Sequence, residues 1–357
     1  MQQRLAQSFA IDALKATGSQ LIVLHHLSAY GPIAEALGAA APQAAGWLYE
    51  YARMAVQIFL VVGGFLAAHA LASRARTPPR FPIRAILVRY LRLVVPYLAA
   101  LVLAIAAAAL ARPWFDGDFV PAPAEPRQLL SHALLANQWL GHEALSAGVW
   151  YVAIDFQLFA TFAVLLWLGR TLQRDAPGRP GLAGVQPLAL LPIAACAIAS
   201  LFWFNRNPGL DDWSIYFFGA YAMGAFVYWA RRARHPRRWV AVVTLVAIAA
   251  LALDFRWRLA VALGTALVLA ASGLSDRTGA RASRPIGYLS GISYALFLVH
   301  FPVILATSAL LASIGWRAPA AGLWGALFAW AASLAVADGL HRWIERPAAK
   351  LYRRLAA

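Results

Sequence analysis

The chain has 357 residues, 62% of them hydrophobic and only 13% charged, with a mean hydropathy of +0.63. These values exclude an ordinary soluble domain and point to an integral membrane protein. The net charge of +16 does not mark a nucleic-acid binder, because the basic residues are spread through short loops between apolar runs instead of forming one patch.

Apolar runs long enough to cross a hydrocarbon layer of roughly 30 Å recur about ten times. They fall near residues 10–30, 51–72, 90–111, 148–168, 187–205, 213–230, 239–255, 257–273, 288–311 and 318–340. The expected fold is all-α, a polytopic membrane helix bundle forming a single domain, with no separate soluble domain and no metal centre. The N-terminal residues lack a short apolar core followed by a small-residue cleavage site, so the first span is expected to be retained. The single cysteine, Cys196, lies in an apolar run and excludes an intrachain disulfide.

The first span, IDALKATGSQLIVLHHLSAY, carries an acid, a cation and an imidazole. On a helix, Lys15 and His26 fall within roughly 20° of one face and about 16 Å apart in depth. Asp12 and Ser19 lie within about 60° of that stripe. Lipid does not tolerate such a seam, whereas a buried cavity uses one. In the second run, FLVVGGFLAA, the doublet Gly63-Gly64 would let another backbone approach closely.

Arg89 and Arg92, in RYLRLVVPY, are three apart on one face of the third span, with Pro96 a turn further in. They read either as a snorkelling pair that continues the basic loop or as a cradle for a phosphorylated ligand, with Lys15 at a similar depth. The segment 112–147 opens with a proline-rich stretch that cannot be regular helix. It continues as RQLLSHALLANQWL, whose periodicity suggests a short helix on the outer membrane surface.

Asp155, in VWYVAIDFQLF, begins the fourth span about 7 to 10 Å below the outer surface, at the depth of His26. A carboxylate bonded to one imidazole nitrogen fixes the tautomer and raises the basicity of the other; the alternative is a structural polar pair bridging two helices. His300, followed by Pro302, falls about mid-membrane as a second site residue or a satisfied core histidine. His25 reads as a helix-packing donor. His69, His132, His142 and His341 lie near span ends or in loops and carry no signal.

Lys and Arg gather in alternate loops. One set ends with Arg342, Arg346, Lys350, Arg353 and Arg354, while most acidic residues sit in the opposite set. Basic residues are retained on the cytoplasmic side, so both termini are expected there.

Six stretches taken in order, IDALKATGSQLIVLHH, FLVVGGFL, RYLRLVVP, VWYVAIDFQLF, GISYALFLVHFP and WIERP, resemble the acyltransferase 3 family of bacterial membrane acyltransferases, which modify hydroxyl-bearing cell-surface molecules. The first span of that family usually carries an arginine and, eleven residues later, a histidine regarded as essential; the matching positions are Lys15 and His26. Glycine stands at Gly63 where serine is usual, and aspartate at Asp155 where glutamate is usual.

The resemblance implies a bacterial inner-membrane enzyme. Its co-substrate would be acyl-CoA, acetyl-CoA first, taken from the cytoplasmic face. The acceptor would be a hydroxyl of a periplasmic glycan or glycolipid, with membrane lipid around the protein and a partner protein to complete the transfer. His26 is the expected general base, oriented by Asp155, and Lys15, Arg89 and Arg92 are the expected cofactor ligands. Asp12, Ser19, His300, Tyr294 and Glu345 complete the candidate set. A transporter or flippase for an envelope precursor is the alternative, and an assembly subunit is a further rival class.

Overall fold

The computed structural model describes residues 9–72, 81–115, 119–173, 187–272, 283–315 and 319–356. Every regular element among them is helical: α1 (Phe9–Ala29), α2 (Gly31–Ala40), α3 (Pro42–Tyr51), α4 (Val56–Ala72), α5 (Ile83–Ala111), α6 (Pro126–Ala133), α7 (Val149–Leu172), α8 (Leu191–Phe202), α9 (Ser214–Ala230), α10 (Pro236–Leu253), α11 (Trp257–Ala271), α12 (Ser283–Ser313), α13 (Pro319–Leu340) and α14 (Arg346–Ala356). Helix is the only open-ended element that satisfies its own backbone polar groups inside lipid, so apolar runs of this length have little choice.

Each of the ten expected runs coincides with a helix. Among the described residues, however, seven helical stretches are both long and apolar enough to cross a membrane. The polar seam of α1 and the shortness of α9 and α11, of 17 and 15 residues, keep these three outside that set. The stretch 31–50 between the first two runs, which carries no apolar-run signal, is also helical, as α2 and α3. Pro32 and Pro42 sit in the first turns of these helices, where a missing N–H costs nothing. Of the loop charges expected to set orientation, Arg74, Arg76, Arg80, Arg174, Arg179, Arg277, Arg281 and Arg317, with Asp116 and Asp118, lie outside the described residues.

The chain gathers into two compact units. The first comprises Met1–Lys15, Val56–Arg89 and Ile154–Gly287; the second comprises Ala16–Ala55, Tyr90–Ala153 and Tyr288–Ala357. In the first unit α4 crosses α9 at backbone contact. A Cβ on Gly64 would lie 1.8 Å from the Tyr221 carbonyl oxygen, and one on Gly224 would lie 1.8 Å from that of Val61. The close approach expected of the glycine doublet is therefore made by Gly64, and the small residue that answers it is Gly224.

The break between α10 and α11 is held by Arg256. Its guanidinium donates to Asn205 Oδ1 at 2.5 Å, Leu201 O at 3.2 Å and Ala250 O at 3.3 Å. One planar cation thus binds carbonyls near the ends of both α8 and α10.

In the second unit α2 lies along α13, where a Cβ on Gly322 would fall 1.8 Å from that of Ala36. Trp330 Nε1 donates to Gln20 Oε1 at 2.8 Å, fastening α13 to α1. Ala107, Ala108 and Ala111 of α5 pack against Phe301, Leu305 and Ala309 of α12. Small side chains at these crossings let helices pack closely where lipid supplies no hydrophobic drive between them.

Candidate active site

The second unit contains a chain of hydrogen bonds centred on two imidazoles. His300 Nδ1 lies 3.0 Å from Leu296 O, and His300 Nε2 lies 2.5 Å from His26 Nδ1. The ring centroids are 4.7 Å apart and the planes inclined by 17°, the geometry of two nearly coplanar rings joined nitrogen to nitrogen. A carbonyl only accepts, so Nδ1 of His300 carries a proton and, in the neutral ring, its Nε2 accepts one from His26. His26 then bears hydrogen on Nδ1 and keeps a lone pair on Nε2. The tautomer of His26 is set two hydrogen bonds away by a backbone carbonyl of α12.

His26 keeps 8% of its surface and His300 none, so of the two residues only His26 retains any exposure. Tyr30, one turn on from His26, faces it at 5.4 Å between ring centroids. His25 turns away, with Nδ1 3.3 Å from Leu48 O in α3, a packing contact of the kind its position on α1 implies.

The first unit holds the acid. Asp155 is buried and forms an ion pair with Arg89 through Oδ2. The Arg89 guanidinium also lies 5.6 Å from the centre of the Phe159 ring, an arrangement that lets a cation sit partly out of water. A Cβ on Gly63 would fall 3.5 Å from Asp155 Oδ1 and 3.2 Å from Tyr221 Cε2. A serine there, as is usual in the resembled family, would face this carboxylate. The structure therefore gives His26 the partner His300, and gives Asp155, the acid expected to orient His26, the partner Arg89.

The remaining candidates separate by environment. Lys15 and Asp12 are half-buried on α1, Arg92 is exposed three residues beyond Arg89, and each is engaged with neighbouring groups. Ser19 donates to Ala16 O at 2.9 Å, a local backbone bond. Tyr294 donates to Leu93 O at 2.8 Å, three residues before Pro96, whose ring disturbs the carbonyls of the preceding turn. Glu345 lies 2.8 Å from His341 Nδ1 in a wider π-helical turn, His341–Glu345, between α13 and α14. Among the described residues no group of three or more His, Cys, Asp or Glu could hold a metal ion.

Sequence reasoning passed over His132 in α6. It is fully buried and accepts the Leu145 N–H on Nε2 at 3.0 Å. Periodicity in this short stretch shows only that one face is apolar; that a histidine lies under it is a tertiary fact.

A multi-helix apolar chain with a buried imidazole pair and a buried aspartate paired with a half-buried arginine belongs to the class of membrane proteins that hold polar chemistry inside their helices. The family model described as an acyltransferase domain matches residues 8–342, nearly the whole chain, and the protein is a member of the acyltransferase 3 family. It is a polytopic membrane acyltransferase. Neither the curated proteins nor the solved structures yield a match to the chain.

Proposed function

We propose that this protein is an O-acyltransferase that moves an acetyl or other short acyl group from acyl-CoA to a hydroxyl of a cell-envelope glycan or glycolipid, with His26 as the general base. The observation that carries this reading is the relay Leu296–His300–His26, which leaves a lone pair on Nε2 of His26, the member of the imidazole pair that is not fully buried. His26 Nε2 takes the acceptor proton as the hydroxyl oxygen attacks the thioester carbonyl. The carbon–sulfur bond then breaks, CoA leaves as the thiol after receiving that proton, and the acyl ester remains on the acceptor.

His300 orients the base, the role the sequence assigned to Asp155, and shares through the ring-to-ring bond the positive charge that forms on His26. Asp155 sets the guanidinium of Arg89. Arg89, Arg92 and Lys15 supply positive charge for the phosphates of the cofactor; arginine suits that task because its planar fork binds phosphate in pairs of hydrogen bonds.

The test is consumption of acetyl-CoA by the purified protein in lipid nanodiscs, followed by mass spectrometry of envelope glycans and lipids from a deletion strain. His26→Ala is expected to abolish acyl transfer while the protein still inserts and folds, since a base of this kind contributes about 10² to 10⁴ in rate. A fully active His26→Ala variant rules out the role. Movement of a labelled envelope precursor across the membrane without thioester loss would favour a transporter.

A further inference from the structure

Tyr97 of α5 and three residues of the segment from α6 to the start of α7 together hold five unsatisfied buried polar atoms of the second unit. Tyr97, His132, Asn137 and Ser146 are each at most 2% exposed. The Tyr97 hydroxyl, His132 Nδ1, both amide atoms of Asn137 and Ser146 Oγ have no hydrogen-bond partner among the described residues. Buried polar atoms are rarely left so, because each unmade bond forfeits the water it gave up. Five in one place call for a reason.

Ring contact and backbone hydrogen bonds tie these four residues into one stretch of structure. The rings of Tyr97 and His132 meet edge to face with centroids 6.3 Å apart. The Leu145 N–H bonded to His132 Nε2 holds the backbone one residue before Ser146 at the same imidazole. Asn137 holds the N–H of His142 on its backbone carbonyl at 2.9 Å, closing the turn that leads to Ser146. Tyr90 fastens the end of α6 by donating to Ala133 O at 2.7 Å.

The backbone here is also unusual. Leu135 takes φ +53° although it is buried, and Gly141 and Gly148 take +69° and +83°. A branched side chain in the left-handed region costs energy that surrounding structure must sustain, and such strain concentrates where a segment has to rearrange or hold a ligand. At the far end of the segment, Gly148 lies against Phe297, whose ring centroid is 6.0 Å from that of His300. Phe297 thus stands between Gly148, two residues beyond Ser146, and the imidazole relay.

The donor and acceptor inventory defines what would satisfy it. His132 offers a donor at Nδ1, Asn137 a donor and an acceptor, and the hydroxyls of Tyr97 and Ser146 serve as either. None of the four is a cation near neutral pH, since burial first and His142 second lower the His132 pKa to about 4. The group therefore does not suit a phosphate or carboxylate, but matches an uncharged ligand rich in hydroxyls.

We propose that Tyr97, His132, Asn137 and Ser146 form the binding site for the sugar of the acceptor, opened by movement of residues 134–148, the segment that ends against Phe297 beside His300. The assignment of the sugar as acceptor rests on the acyltransferase reading above; the existence of a hydroxyl-binding site does not.

Two substitutions test it without removing a protein–protein hydrogen bond. Tyr97→Phe and Ser146→Ala each delete one oxygen that has no partner among the described residues. The full chain in nanodiscs is titrated with maltose, cellobiose, chitobiose and mannobiose. Hydrogen exchange in residues 131–148 reports binding, and acetyl-CoA consumption is followed in the same samples. At least one disaccharide is expected to slow exchange in this segment, with affinity about 3- to 10-fold weaker in each variant and lost in the double variant, while thermal midpoints hold or rise.

The proposal is overturned if no disaccharide protects the segment, if both variants bind like the wild type, or if the variants lose thermal stability, which would make the hydroxyls structural. Protection without any acetyl-CoA consumption would keep the site and remove the acyltransfer reading. Acetylation of a sugar at equal rates in wild type and variants would do the reverse.

Discussion

Replacement of His300 probes the relay most directly, because its Nε2 is the acceptor that places hydrogen on His26 Nδ1. In His300→Ala that Nδ1–H loses its partner in a buried setting, where an unmade bond costs about 1–3 kcal/mol. If the loss falls on the transition state, where charge forms on His26, it corresponds to a drop in kcat of about 5- to 150-fold. The freed ring can also adopt the other tautomer, with hydrogen on Nε2 and no base directed at the acceptor, which pushes the effect toward the upper end. His300→Gln retains a side-chain oxygen that can accept from Nδ1, so it is expected to recover much of the rate. The assay is acetyl-CoA consumption with saturating donor, with thermal unfolding as a control for the cavity left by the ring. A His300→Ala variant that keeps its thermal midpoint and turns over within twofold of wild type would refute the relay.

Other consequences follow from the packing and charges. Gly64→Ala places a methyl 1.8 Å from the Tyr221 carbonyl oxygen; the helices must part, at a cost of about 3 kcal/mol or more, seen as a lower thermal midpoint, whereas Gly46→Ala, with open space around it, should leave the midpoint unchanged. Asp155→Asn removes the carboxylate from the half-buried Arg89 and is expected to destabilise the first unit by about 1–3 kcal/mol, read from chemical unfolding; equal stability would show that the pair contributes little. Tyr294→Phe deletes the bond to Leu93 O at about 1 kcal/mol, measured by the same unfolding.

His132 adds a pH dependence. Its pKa is lowered from 6.5 to about 4, chiefly by burial, so the unfolded chain binds a proton between these values that the folded chain does not. Its contribution is fully present above pH 6.5 and is lost as pH falls toward 4, roughly 3 kcal/mol in all. The Leu145 amide, bonded to His132 Nε2, should lose its excess exchange protection over that window in wild type and show no such step in His132→Gln.

Much of the architecture is already legible in the chain. Span-length apolar runs must become helices because lipid offers the backbone no other donors or acceptors, and each expected run coincides with one. The residues of the site are visible for the same reason: His26, Asp155, Arg89 and His300 are polar where polarity is expensive. Their partners are not. Depth along a helix suggested an acid beside His26, but depth does not specify azimuth, and the packed helices join His26 to His300 and Asp155 to Arg89.

The buried polar group around His132 lay beyond sequence reasoning altogether. In RQLLSHALLANQWL the periodicity describes a short helix, and it does not register the positive φ at Leu135 that follows it. The chain by itself determined that this protein is helical, lives in a membrane and carries ionisable side chains inside it, because those facts follow from transfer free energies summed over consecutive residues. Only the tertiary structure decided which imidazole meets which neighbour, since a hydrogen bond between residues 26 and 300 depends on how distant helices rotate about their axes, and no local sum records that.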